Sequence, residues 1–360
     1  MKLLIEPDHG VAPLLAAIKK AKTSIEITIF RMDRRDIEDA LEAAARRGVK
    51  VTALVAYANR GGQKQLRNLE MRLLQSGIIV ARTGDDLVRY HDKFMIVDRK
   101  TLFVLSFNFT HLDIVHSRAF GISTRNAALV TEATRLFEAD CTRSNYSAGL
   151  GTFIVSPANS RKELGKFIRR AQKELLIYDP EISDKEMIRL LKERAKAGVE
   201  IRVVGYVNKS GDLRSTELNE LRLHTRTIVR DRHQAFIGSQ SLRGMELDKR
   251  REVGLILRDA RIVKALIDTF ESDWAKSGLM EGEQKATAPP TEPRTADKVA
   301  EALVKELHPV RLTVKKAVKK VVARAGDGAL QDEEVKRAVK KIVKKAVKEA
   351  VKEVTQGAVA

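Results

Sequence analysis

The chain has 360 residues, enough for more than one sizeable core, and the usual prior is two domains of about 150 residues each. Its single cysteine, Cys141, excludes an internal disulfide, and no stretch approaches the roughly 20 apolar residues of a membrane span. A formal net charge of +19 and a pI near 9.9 point to anionic partners, whether nucleic acid, phospholipid headgroups or phosphorylated metabolites, without choosing among them.

The chain opens with MKLLIEPDHGVAPL, where Glu6 and Asp8 interrupt the apolar run that a signal peptide needs, so the expected location is the cytoplasm, in solution or peripherally on a membrane. Residues 17 to 57 then read as a helix, a short apolar strand at Ile25 to Ile29, an amphipathic helix ending at Gly48, and a further strand. The segment QKQLRNLEMRLLQSGIIVARTGDDL adds a helix and a strand. Two buried strands follow, Phe94 to Val97 and Thr101 to Ser106, separated by a turn.

Residues 167 to 207 repeat the pattern of 17 to 57 at an offset of 150, with a strand at Leu175 to Tyr178 and a helix ending at Gly198. The offset then falls to 133, so the second copy lacks 17 residues that the first has, and strands Thr227 to Val229 and Ala235 to Ser239 follow. Alternating helix and strand, twice, argues for a layered α/β fold. Beyond Trp274 and Met280, EGEQKATAPPTEPRTADK reads as a linker, followed by lysine-rich runs broken at Ala325 to Gly328. From Gly282 onward there are 18 Lys and Arg against 11 Asp and Glu, and an Ala/Val stripe at helical spacing runs from Val335 to Val351. The expected organisation is a first half over 1–150, a second over 151–280, a linker over 281–297 and a basic helical tail over 298–360.

The chemistry sits in a motif that occurs twice. His91-x-Lys93-x4-Asp98, then Ser106 and Asn108, recurs as His224-x-Arg226-x4-Asp231, then Ser239 and Ser241, every matched pair 133 positions apart. On a strand, residues two apart face the same way, which would deliver each histidine and its cation to one pocket. Phosphodiester transfer without a metal needs a nucleophile, an acid for the leaving group and cations for the nonbridging oxygens. A histidine pair supplies the first two because imidazole ionises near neutrality, at about 6.5 when unperturbed.

At these residues the chain resembles the phospholipase D superfamily, whose signature is H-x-K-x4-D followed by G-S-x-N. The resemblance implies two tandem halves, each a mixed sheet flanked by helices, and a two-step reaction through a phosphohistidine that uses no metal or other cofactor. It implies that His91 and His224 are the reacting pair, with His91 of the intact copy as nucleophile, and that Lys93 and Arg226 clamp phosphate. Ser106, Asn108, Ser239 and Ser241 would donate to phosphate oxygens. Asp98 and Asp231 would orient imidazoles or hold local backbone, and Glu252, in KRREVGLIL, would orient the opposite histidine. The second copy departs from the family at Arg226 and Ser241, and the first at Leu105, where the family has a small residue. Specificity is expected to follow from that asymmetry.

The expected function is a phospholipase D or cardiolipin-synthase-like phosphatidyltransferase acting on phospholipids, in a monomer with pseudo-twofold halves. The alternatives are a nuclease of the same superfamily acting on DNA or RNA, and a catalytically silent protein that binds anionic surfaces. Aromatic residues make up only 5% of the chain, which advertises no base-stacking platform. The tail reads as a solvated appendage, as an anionic-membrane contact or as a nucleic-acid or protein contact. A dead remnant would have no reason to keep both histidines in register. His111, His116 and His233 lack the motif spacing and read as surface residues; Asp36, Asp39, Glu42, Asp85 and Asp86 read as helix or turn acids rather than metal ligands, and Cys141 as a core thiol.

Overall fold

Each half begins with a strand and a helix and then alternates, as amphipathic patterning requires. In a computed structural model, which describes residues 1–57, 63–208 and 213–286, the first half runs β1 (Lys2–Glu6), α1 (Ala12–Lys20), β2 (Ser24–Ile29), α2 (Arg35–Arg46), β3 (Lys50–Val55), α3 (Gln63–Gln75), β4 (Ile79–Arg82), β5 (Arg89–Tyr90), β6 (Phe94–Val97), β7 (Thr101–Leu105), α4 (His111–Val115), β8 (Ser117–Thr124) and α5 (Ala127–Thr142). The second runs β9 (Phe153–Ser156), α6 (Ser160–Arg169), β10 (Glu174–Ile182), α7 (Lys185–Lys196), β11 (Glu200–Val207), β12 (Arg214–Thr216), β13 (Arg222–Leu223), β14 (Arg226–Arg230), β15 (Gln234–Gly238), α8 (Gly244–Asp248), β16 (Arg250–Leu257) and α9 (Ala260–Ala286). The last helix continues to Ala286, into the stretch read from composition as linker. The rest of the linker and the lysine-rich tail lie outside the described residues.

The helices form where their apolar spacing gives them a face. In α2, Ile37, Leu41 and Ala44 are buried one turn apart, acids occupy the first turn, and Gly48 takes φ +86° just past the end. In α7, Met187, Leu190 and Leu191 are buried, Asp184 accepts the Met187 amide as N-cap, and Gly198 repeats the left-handed turn at φ +87°. No helix among the described residues is long and apolar enough to cross a membrane.

The two sheets are copies of one topology. The first is ordered β4-β3-β2-β6-β7-β8-β1 and the second β12-β11-β10-β14-β15-β16, with β9 also paired to β16. Both are mixed: β2 and β3 pair in parallel while β2 and β6 pair antiparallel, and β10 repeats this with β11 and β14. Each sheet gains an eighth strand from the other half, since β13 pairs with β8 and β5 with β16. One core lies between the sheets, where Phe120, Tyr178, Val253 and Phe270 meet, and two outer cores lie under the helices of each half.

Buried ion pairs repeat the exchange. Arg118 on β8 holds Asp273 on α9 at 2.8 Å, and Arg251 on β16 holds Asp140 on α5 at 2.9 Å. Residues 1–283 accordingly form one compact unit. Removing one partner of a buried pair typically costs about 3–5 kcal/mol because it strands the other charge, so each half depends on the other for the partner of a buried arginine.

The exchange also corrects the placement of the motif residues. His91 and Lys93 do not lie on a strand, and His224 sits between two. The chain leaves one sheet at β5 or β13 and enters the other at β6 or β14, so each histidine occupies a crossing point.

Candidate active site

Each crossing pins a histidine to the opposite half. The His91 amide donates to the Arg251 carbonyl at 2.8 Å and the His224 amide to the Arg118 carbonyl at 3.1 Å. Both imidazoles, together with Arg226, line a cleft of about 490 Å³. Lys93 lies buried beneath it, only 1% exposed.

The two histidines differ in their acids. The Nδ1 of His91 lies 3.0 and 2.9 Å from the two oxygens of Glu252, a fully buried carboxylate of the other half. The Nδ1 of His224 has no hydrogen-bond partner, its nearest carboxylate being Asp113 at 3.6 Å. The chain position matching Glu252 in the first half is Ala119, which explains the missing acid. Phe30 also packs edge-on against His91, with ring centroids 4.6 Å apart.

The cations repeat one geometry. Lys93 Nζ donates to the His91 carbonyl and Arg226 Nη1 to the His224 carbonyl, the latter at 2.7 Å. Among the described residues neither has a carboxylate at ion-pair distance, so Arg226 presents an uncompensated charge to the cleft, and the Lys93 ammonium, 1% exposed, adds its charge without lining it. Arg226 Nε also donates to Ser241 Oγ at 3.1 Å, so the shortened side chain at 241 steadies the guanidinium. Burial pushes Lys93 down to about 7. It also pushes both imidazoles well below their usual range, an effect that Lys93 and Arg226 reinforce at His91, and Arg226 and Arg222 at His224. Burial raises Glu252, and Lys93 is the first of the cations opposing it.

The remaining motif residues do other work. Asp98 Oδ1 accepts the amides of Lys22, Thr23 and Ser24 at 2.9, 2.7 and 3.1 Å, and Asp231 Oδ1 accepts those of Gln172, Lys173 and Glu174 at 3.0, 2.7 and 3.1 Å. Both sit in left-handed turns, at φ 54° and 51°. Of the two roles expected for them, orienting an imidazole or holding local backbone, the hydrogen bonds correspond to the second, since both carboxylates lock the β6–β7 and β14–β15 turns to the segments that follow α1 and α6, and neither touches an imidazole. Their grouping with the catalytic side chains is corrected accordingly. Ser106 Oγ accepts the Phe120 amide at 2.9 Å and Ser239 Oγ the Val253 amide at 3.2 Å. Both hydroxyls are fully buried and outside the cleft's lining, which corrects their expected role as phosphate donors: Ser106 fastens β7 to β8, and Ser239, besides fastening β15 to β16, hydrogen-bonds Glu252 and opposes the rise of its pKa. Asn108 does line the cleft, its Nδ2 donating to Asp113 at 2.7 Å.

Residues that the motif reading passed over complete the site. Arg89 and Arg222 precede the histidines by two positions and line the cleft, with Arg222 paired to Asp113. Asp113 and Glu246 fasten the amides of Asn108 and Ser241, each at 2.8 Å. Leu112 and Met245, at matched positions on α4 and α8, are 50% and 44% exposed. Every one of these pairs obeys the same spacing of 133. Extending the repeat outward from His91 and His224 would have found them.

Two mixed sheets exchange strands around a histidine pair, and that duplicated arrangement sets the class of protein. The chain belongs to the family described as cardiolipin synthase, PLD-like domain, which matches residues 14–141 and 164–274 and lies within the phospholipase D superfamily. The polyphosphate kinase of Pseudomonas aeruginosa is 25% identical over 230 residues, 56% of this chain and 32% of that protein. The mitochondrial cardiolipin hydrolase of Mus musculus is 28% identical over 130 residues, 36% of this chain and 55% of that protein. The chain thus spans about a third to about half of the curated relatives it matches. The phosphatidylserine synthase of Haemophilus influenzae shares the fold, with a TM-score of 0.60 and 11% identity over 89% of this chain and 95% of that one. The names attached to these proteins are those of phosphoryl-transfer enzymes.

Proposed function

We propose that the chain is a phosphodiesterase or phosphatidyltransferase acting on phospholipids through a phosphohistidine on His91. The observation that carries this reading is the Glu252–His91 contact. A neutral imidazole that donates Nδ1–H to a carboxylate presents its Nε2 lone pair to the cleft, which is the tautomer a nucleophile needs. His224 has no such acid and serves as proton donor to the leaving alcohol, then as base toward water or an acceptor alcohol. Lys93 and Arg226 neutralise the nonbridging oxygens. An incoming phosphate also offsets the cations that hold His224 neutral, so binding itself raises that imidazole toward the protonated form.

The lipid substrate is favoured by Leu112 and Met245, apolar side chains exposed at matched positions on the two short helices that flank an otherwise arginine-rich cleft. Its arginines favour a second reading, a substrate with several adjacent phosphates, such as nucleic acid or a polyphosphate chain. Purified protein with phosphatidylglycerol or cardiolipin vesicles in EDTA, with and without added alcohol, separates the two. Release of glycerol from phosphatidylglycerol, formation of phosphatidic acid and phosphatidylglycerol from cardiolipin, or formation of the alkyl ester, abolished by His91→Ala, supports the lipid reading. Cleavage of DNA or of polyphosphate with no lipid turnover sinks it.

A further inference from the structure

At the end of β14 and β16 remote from the histidines, a second cleft of about 590 Å³ opens beside α6 and the start of α5. Its lining divides by chemistry, with Leu129, Phe167 and Leu257 apolar and Arg170, Arg230 and Arg258 cationic. Arg230 is only 6% exposed. Its guanidinium lies 4.5 Å from the Phe167 ring centroid, Nη1 donates to the Phe167 carbonyl at 3.0 Å and Nη2 to Gln234. Nε has no acceptor. The Asp231 carboxylate is 3.9 Å away and already committed to three backbone amides.

A buried donor without an acceptor is costly unless something else satisfies it. Arg170 and Arg258 are exposed, and among the described residues neither has a carboxylate at ion-pair distance. Burial pushes Arg230 below its ordinary pKa; the charge of Asp231 opposes that shift, and the smaller effects of Arg170 and Arg258 add to it, so the three arginines stand close enough to repel one another. Lys166 and Glu163 on the same wall offset one another at 3.7 Å.

The first half shows that the fold does not require this cluster. The positions matching Phe167 and Arg230 are Ala17 and Val97, and Val97 is itself buried at 6% exposure. That half closes the same corner without a buried cation. The positions matching Arg170 and Arg258 keep their charge, as Lys20 and Arg125, so what only the second copy carries is the buried Arg230 against Phe167. A buried cation with an unsatisfied donor, between two exposed cations and an apolar wall, suits an anion with an apolar body.

We propose that this cleft binds an amphiphilic phosphate, its head held by Arg170, Arg230 and Arg258 and its alkyl chain laid along Leu129, Phe167 and Leu257. The inference is independent of the reaction assigned to the histidines. Isothermal titration of the full chain with octyl phosphate, below its micelle concentration, tests it against inorganic phosphate. Octyl phosphate is expected to bind at least about tenfold more tightly than phosphate, since burying two methylenes suffices for that factor. The double substitution Arg170→Ala, Arg258→Ala removes two exposed, unpaired side chains; it is expected to weaken octyl phosphate by about tenfold or more with an unchanged melting temperature. Arg226→Ala, in the catalytic cleft, should leave this binding intact. Absence of octyl phosphate binding, equal affinity for inorganic phosphate, or binding lost in Arg226→Ala and kept in the double variant would each overturn the proposal.

Discussion

The His91 imidazole is held by Glu252, a carboxylate 161 residues further along the chain, through contacts of 3.0 and 2.9 Å, whereas the His224 Nδ1 has Asp113 at 3.6 Å and no hydrogen bond. One histidine is therefore fixed in tautomer and orientation by the other half of the molecule, and its partner is free to gain and lose a proton. The division of labour between nucleophile and acid follows from that difference.

Glu252→Gln keeps the size of the side chain but replaces the carboxylate that defines the tautomer. Turnover is expected to fall by about 10–100-fold, the range seen when a histidine loses its orienting partner. Steady-state kinetics on the substrate identified by the EDTA assay measures it. A rate within twofold of the parent would show that His91 needs no such support.

Lys93 sets the expected pH dependence. Burial lowers its folded pKa to about 7, while the unfolded chain keeps the ammonium to about 10.4. Between these values the unfolded state binds the extra proton, so this group makes stability rise with pH across that window. The clamp charge moves the other way and is lost as pH rises through about 7, so kcat/KM should decline on that limb. Lys93→Arg, whose guanidinium stays charged, is expected to shift the alkaline limb upward by more than one pH unit and to abolish the stability slope. A limb that stays where it was would assign the titration to another group.

Asp98 and Asp231 are expected to matter for stability rather than chemistry. Asp98→Ala removes the acceptor of three backbone amides and leaves a residue with a Cβ in the left-handed region, at a cost of about 2–4 kcal/mol. Asp98→Asn, which tolerates that conformation and keeps an acceptor, should cost less. Denaturant melts give the order, and kcat per folded molecule should stay within about threefold. A loss of kcat in a variant of undiminished stability would return these aspartates to the reaction.

Asp273→Asn leaves Arg118 buried beside a neutral amide, which is expected to cost about 3 kcal/mol or more. Because the Arg118 carbonyl anchors the His224 amide, turnover should fall as well, whereas the matching Asp140→Asn acts through Arg251 on His91. Melting curves and kinetics on both variants read the coupling. Additive, purely thermodynamic effects with unchanged kcat would deny it.

Much of this was legible in the sequence because duplication leaves a measurable offset. The alternation around Ile25 to Ile29 and Leu175 to Tyr178 predicts strands that the fold contains, as β2 and β10. The spacing of 133 finds His91 and His224, and carried further it would have found Arg89 with Arg222 and Asp113 with Glu246. What pattern does not show is the strand exchange. Both β5 and β13 are two residues long, too short for any periodicity, and their pairing with the opposite sheet is a tertiary fact. The histidines therefore look like strand residues from sequence and prove to be crossing points. For Asp98 the sequence leaves two roles open, an imidazole or the local backbone, and for Ser106 it points to phosphate, since a motif gives residue types and spacing but not which backbone amides a carboxylate or hydroxyl meets.

The most direct test of the central claim is mass spectrometry of the quenched reaction. His224→Ala, which lacks the acid of the first step and the base of the second, is mixed with a phosphodiester bearing a leaving group good enough to need no acid, quenched under alkaline conditions and digested. An acid-labile covalent phosphoryl adduct is expected on His91 in that variant, and none in His91→Ala. An adduct on His224 in His91→Ala with none on His91, or turnover of substrate by the parent protein with no histidine adduct at all, would contradict it.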